Sequence, residues 1–211
     1  MKNNKARHFF NKQEKNRIRL LVKEAERLTS GEIATMVVDE SDSYREAEIL
    51  GAVLLSSLLA LIIAIAIHHI TIWTYIPLVC LIYFPLFWIF RRFPGLKLSF
   101  VSRRRIEEAV RERAVSAFFS KGLYRTREET GILIFISLLE HKVWILGDRG
   151  INALIEPESW RSFADELAKG IRDGHACEAL GSVVQKCGTI LAEHFPRRSD
   201  DTNELPDELI V

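Results

Sequence analysis

The chain has 211 residues, a formal net charge of +1 and 48% hydrophobic residues. This length holds one or two domains, and the near-neutral balance excludes a dedicated nucleic-acid binder, which would be clearly basic. The hydrophobic share is ordinary on average, but much of it lies between Leu50 and Phe90, so the mean covers an apolar membrane part and a charged soluble part.

The N-terminus is basic from Lys2 to Arg7 but no apolar run follows, so the start is expected to stay in the mature protein. Asn11 and Glu14 have the spacing of a capping box, and Ile18, Leu21, Val22, Ala25 and Leu28 then recur at helical period. Gly31 suits a helix stop. Met36-Val37-Val38 reads as a strand, followed by the acidic loop Asp39-Glu40-Ser41-Asp42. Tyr44 to Ile49 leads helically into the apolar region.

Leu50 to Ile67 carries no charge. As a helix it is about 27 Å long, close to the hydrocarbon thickness of a bilayer. Ile70 to Phe90 is a second uncharged run, with Trp73, Tyr75, Tyr83 and Trp88 suited to membrane interfaces. Pro77 and Pro85 are tolerated in a spanning helix. The spacing predicts a transmembrane hairpin over 49–91, with spans at about 50–67 and 70–90. Lys and Arg cluster outside it, at Arg45 before and at Arg91, Arg92, Lys97 and Arg103-Arg104-Arg105 after, while the turn has none. The positive-inside rule then places both termini and the soluble domain in the cytoplasm of a multi-pass inner (plasma) membrane protein. His68-His69 falls outside and is read as a wet turn rather than a metal or pH site.

Ser102 suits the cap of a helix carrying Ile106, Ala109, Val110, Ala114, Ala117 and Phe118, which Gly122 ends. Its first turn bears the three arginines, where the helix dipole disfavours cations. Contact with anionic headgroups would explain them. Ile132 to Leu139 is nearly all apolar and reads as a strand buried on both faces. Glu140-His141 turns it into a partner strand over Val143 to Leu146. Pro157 opens a helix with Trp160, Phe163, Leu167 and Ile171 on one stripe. The last helix carries Leu180, Val183, Val184, Cys187 and Leu191, with Gly181 and Gly188 on one face for close approach to a neighbour. Residues 197–211 are polar and acidic and are expected to be a disordered tail. Cys177 and Cys187, ten apart on that helix, are about 15 Å apart, too far for a disulfide, which fits a reducing compartment.

Neither soluble piece makes a core alone. Joined, 9–48 and 100–196 give an α/β fold, a small mixed sheet flanked by helices, interrupted by the hairpin.

The residues also carry a resemblance. Thr29-Ser30-Gly31-Glu32-Ile33 after a charged amphipathic helix resembles the opening of the TPM domain family. Gly131 to Ile136 and Val143 to Asn152 are similar to its central hairpin, and Trp160, Gly170-Ile171, Gly174, Cys187-Gly188 and His194-Phe195-Pro196 to its closing helices. The resemblance covers Phe9 to Pro196 apart from the hairpin. It implies an α/β sandwich with a small central sheet, assistance to membrane complexes, and in some members acid phosphatase activity or divalent metal, especially calcium. The family's domains generally sit in a lumen or outside the cell, beside a terminal membrane segment; here the segment is internal and the domain is expected in the cytoplasm.

For chemistry, Asp39 follows the first strand and Asp148 the last, and they are the candidate metal ligands for Ca2+ or Mg2+. Ligands gather beyond strand ends in open α/β sheets, and these ions favour oxygen donors. The two would meet if their strands were parallel neighbours. Arg149 could hold a phosphate or carboxylate through its planar fork, with Glu32 beside it as a ligand-binding residue. No catalytic residue is assigned: phosphate loops, Asp-x-Asp and nucleophile-elbow motifs are absent. The leading expectation is a non-enzymatic accessory module. The lipid bilayer holds it through residues 50–90, and it contacts an unidentified membrane-protein partner. The alternatives are a metal-dependent phosphatase and a calcium- or ligand-binding module without turnover.

Overall fold

The computed structural model describes residues 5–68, 71–126, 128–198 and 208–211. The chain forms two compact units, one made of Met1–Ser41 and Glu108–Val211, the other of Asp42–Glu107.

The first unit is built on three strands, β1 (Glu32–Val38), β2 (Gly131–Ser137) and β3 (Lys142–Gly147), in the order β1-β2-β3. β1 and β2 are parallel, β2 and β3 antiparallel. The apolar run places β2 in the centre, and every one of its residues is buried. One face of the sheet carries Ile33, Val37, Ile132, Ile134 and Ile136, covered by α2 (Lys12–Glu26), α8 (Pro157–Arg172) and α9 (Ala176–His194). The opposite face carries Ala34, Met36, Leu133 and Phe135, covered by Val110, Ala114 and Phe118 of α6 (Arg103–Ser120). Helices thus lie on both faces of a mixed sheet, as the residue pattern requires.

The helix ends follow local chemistry. Asn11 and Glu14 form a reciprocal capping box on α2, Ser102 accepts the Arg105 N–H at 3.3 Å, and Gly122 stops α6 at a φ of 76°. A Cβ added at Gly188 would lie 2.6 Å from the Ala25 Cβ, so glycine there permits the close packing of α9 on α2. A short helix, α1 (Lys5–Phe9), precedes α2 and was not evident from periodicity. The Ala6 N–H donates to Asp39 at 2.7 Å, tying this helix to the end of β1.

The expected disordered tail requires correction at its far end. Residues 199–207 lie outside the described residues, but Ile210 returns to the free edge of β1. It donates to the Thr35 carbonyl at 2.9 Å and accepts from Val37 N–H at 2.9 Å. Its apolar side chain packs with the α6 face of the sheet, and the backbone bonds cover part of an edge that would otherwise be unpaired.

Glu140, read from sequence as a plain turn residue, is buried. Its carboxylate accepts from Ser41 N–H at 2.9 Å and from the Ser137 hydroxyl, and the Ser41 hydroxyl donates to Ser137 Oγ at 2.8 Å. The group joins the end of β1 to the β2–β3 turn, where His141 has a φ of 51°. Glu140→Ala strands those donors and should lower the stability of this unit by about 1–3 kcal/mol. Thermal unfolding of the full chain checks it, with Glu140→Gln expected to lose less.

In the second unit, α3 (Arg45–Ala66) and α4 (Ile72–Arg92) are antiparallel neighbours. Ala52, Ser56, Ala60 and Ala64 of α3 recur every four residues and are all buried, the small-residue stripe that lets membrane helices approach. A Cβ on Gly51 would lie 2.8 Å from Phe90 Cζ. The large side chains point outward: Leu54, Leu58 and Ile62 on α3, and Trp73, Leu81, Phe84 and Trp88 on α4, are exposed. Both helices are long and apolar enough to cross a membrane. Pro77 and Pro85 lie inside α4, and a short helix, α5 (Pro94–Lys97), follows it. His68 closes α3 with a φ of 54°; His69 lies outside the described residues.

Candidate functional site

The sheet directions decide which candidate residues meet. β1 and β2 run together, so Glu32 pairs with Gly131 at one end and Val38 with Ser137 at the other. β3 runs back, so Gly147 lies opposite Ile132 and Lys142 opposite Ser137. Asp148 therefore joins Glu32 at the start of β1, while Asp39 lies beyond its finish. Six residue steps at about 3.3 Å separate the two ends by about 20 Å. The expected Asp39–Asp148 pair is not formed, because the strands that precede these residues are antiparallel and non-adjacent. Among the described residues no group of three His, Cys, Asp or Glu side chains could hold a metal ion. Calcium takes six to eight oxygen ligands and magnesium demands octahedral geometry, so this donor set does not fit either ion.

Three of the four candidates do share one end. Glu32 is buried at the first position of β1. Asp148 caps α7 (Arg149–Asn152), its carboxylate accepting from Arg149 N–H at 2.7 Å and its own N–H donating to Gly131 O at 2.8 Å. The second Asp148 oxygen, Oδ2, is buried and has no hydrogen-bond partner among the described residues. Such an atom bears a desolvation cost that a donor would relieve. Arg149 is exposed at the rim of this turn. The Gly150 N–H donates to Glu129 O at 3.0 Å. A Cβ on Gly150 would lie 2.5 Å from Glu128 O, so glycine lets the 148–150 turn rest against the segment before β2.

Thr29-Ser30-Gly31 closes the same end. The Thr29 hydroxyl donates to Phe195 O at 2.6 Å and accepts from Gly31 N–H at 3.0 Å. The Ser30 hydroxyl reaches Glu128 at 3.4 Å, and Glu128 also pairs with Arg198. This segment joins the start of β1 to the close of α9, a structural role matching the helix stop and strand start read from sequence.

A second polar cluster, not anticipated, lies where the second unit begins and ends. Tyr44 is fully buried, with a φ of 46°, immediately before α3. Lys97 is buried too, its ammonium donating to Ser43 O at 2.6 Å and lying 3.4 Å from Glu48. Lys97 and Arg105 stand over the Tyr44 ring at 5.8 and 5.9 Å, within cation–π range. Arg105 also pairs with Asp42, and lies 3.8 Å from Glu46. Burial pushes the Asp42 carboxyl up, but the N–H groups of Ser43 and Tyr44 and the Arg105 guanidinium outweigh it and hold it below the ordinary carboxylate range. Arg105 is thus half-buried and paired within the unit, a partner that the sequence reading did not foresee. Arg103 and Arg104 are exposed.

No curated protein matches the chain. The solved structure of the BA42 protein from the psychrophilic bacterium Bizionia argentinensis is similar in fold, with a TM-score of 0.60 and 19% identity. The alignment covers 96% of this chain and 94% of that one. The family model described as the TPM domain matches residues 95–190, the stretch that supplies α6, the β2–β3 hairpin, α8 and most of α9, and over that stretch the chain is similar to a TPM domain.

Proposed function

We propose that the chain is a membrane-anchored TPM module that faces the cytoplasm and serves as an accessory for a membrane-protein partner. One observation carries the reading: α3 buries a stripe of small residues, Ala52, Ser56, Ala60 and Ala64, beside α4, while both helices leave most of their large apolar side chains exposed. Soluble proteins rarely expose so large a continuous apolar surface, whereas a bilayer requires it. The cations support the orientation, since Arg91 and Arg92 in the last turn of α4 and Arg103 and Arg104 after it are exposed. Intramembrane charges that would mark a transport path are absent from the described residues of both spans between Leu50 and Phe90. The accessory role is favoured over turnover because the expected metal ligands lie at opposite ends of the sheet.

The test is extraction followed by crosslinking at native expression. The chain should stay with the membrane pellet after carbonate washing and be released by detergent. A crosslinked membrane protein should recur across replicates. Release by carbonate overturns the anchor, and the lack of any reproducible crosslinked partner overturns the accessory role.

A further inference from the structure

The end of the sheet remote from Asp148 holds a cavity of about 530 Å³. It lies at the carboxyl end of β2, where Ile136, Ser137 and Leu138 line it beside the start of β3. Its volume is in the range of small-molecule sites. The floor is apolar, formed by Phe9 of α1, Val143 of β3 and Ile171 of α8. The lining also includes four basic side chains, Lys5, His141, Lys142 and Arg172, and no carboxylate is among the described residues lining it. Two carboxylates nearby are engaged elsewhere. Asp39 accepts the Ala6 N–H, which holds α1 and hence Lys5 and Phe9 in place, and Glu140 accepts from Ser41 and Ser137.

We propose that this cavity binds a small amphiphilic acid, an apolar body carrying one carboxylate or phosphate head. The body rests on Phe9, Val143 and Ile171, and the head meets the cations at the mouth. Arg172 supplies a planar fork suited to either oxyanion, and Lys5 adds a compact charge. A neutral ligand of the same shape forgoes these charge-assisted bonds, and a bare inorganic anion forgoes the apolar burial.

The full chain in nanodiscs of zwitterionic lipid, titrated calorimetrically against empty discs, provides the test. 2-Naphthoate should bind saturably at one site per chain. 2-Naphthalenemethanol and inorganic phosphate should each bind at least tenfold more weakly, about 1.4 kcal/mol or more. Arg172→Glu with Lys5→Glu, both at exposed positions, should weaken 2-naphthoate at least tenfold while thermal unfolding stays unchanged. Ala168→Phe, which narrows the cavity, should also weaken it. Equal binding of the acid and the alcohol overturns the proposal. So does an unchanged affinity in the charge-reversed variant, or heat fully matched by the empty discs.

Discussion

A cysteine placed at Thr71 should react with a membrane-impermeant maleimide from outside sealed spheroplasts, and one placed at Ser99 only after permeabilisation. Both positions are exposed. Thr71 precedes α4 in the turn between the spans, and Ser99 lies among Arg91, Arg92, Lys97 and the arginines that open α6. Lys and Arg near the ends of spans set orientation, so the two positions should differ in an all-or-none way. The native thiols make poor reporters for the soluble side. Cys177 and Cys187 are buried on α9, and the reactive species is the thiolate. Burial pushes the Cys187 thiol up to about 12 and raises Cys177 as well. Silence at Cys177 would thus follow from packing on either side of a membrane. Cys80 is exposed on α4, one of the two helices long and apolar enough to cross a membrane. Labelling of Ser99→Cys from outside, with Thr71→Cys protected, would move the domain to the other compartment and remove the cytoplasmic reading.

The parts of the fold that were legible in sequence are those set by local chemistry or by burial period. The Asn11–Glu14 box, the Gly122 stop and the apolar run of β2 are of this kind. Strand direction is not. The β2–β3 hairpin, which spacing did reveal, already sends Asp148 to the start of β2. A parallel β1 then leaves Asp39 at the finish. Spacing alone does not say that β1 is parallel, since the connection to β2 passes through the whole second unit, and so the pairing of Asp39 with Asp148 could not be judged. Arg105 shows another limit. Three arginines at a helix start conflict with the dipole, and sequence offered lipid as the relief. Within the chain Arg105 is compensated by Asp42, 63 positions earlier. Glu140 was hidden for a similar reason, because its partner Ser41 lies 99 positions away. The basic cavity draws on α1, β3 and α8, and no motif links elements so far apart.

Gly131→Ala should destabilise the sheet unit by about 3 kcal/mol, at the upper end of overpacking costs. The new Cβ would lie 2.4 Å from the Leu123 carbonyl oxygen. Relief by a side-chain rotation is not available, because the obstacle is backbone. Gly131 belongs to the central strand, paired with Glu32 of β1 on one side, and Leu123 is fully buried under the α6 face. Either the strand or the 123–125 turn must shift, and both are held by hydrogen bonds. Movement of the strand would disturb the Asp148 N–H to Gly131 O bond of 2.8 Å, so the end of the sheet carrying Glu32, Asp148 and Arg149 should loosen with it. Gly95→Ala is the matched control: nothing lies within 4 Å of its added Cβ. It sits in α5, where alanine is the better helix former, so its effect should stay within about 0.5 kcal/mol. In thermal unfolding of the full chain in detergent, Gly131→Ala should lower the midpoint by about 2–4 °C per kcal/mol lost. Hydrogen exchange should show the first loss of protection at Gly131, Ile132 and Asp148. A midpoint equal to that of Gly95→Ala would mean that the Leu123 turn yields freely, and that this end of the sheet is less rigidly built than its hydrogen bonds indicate.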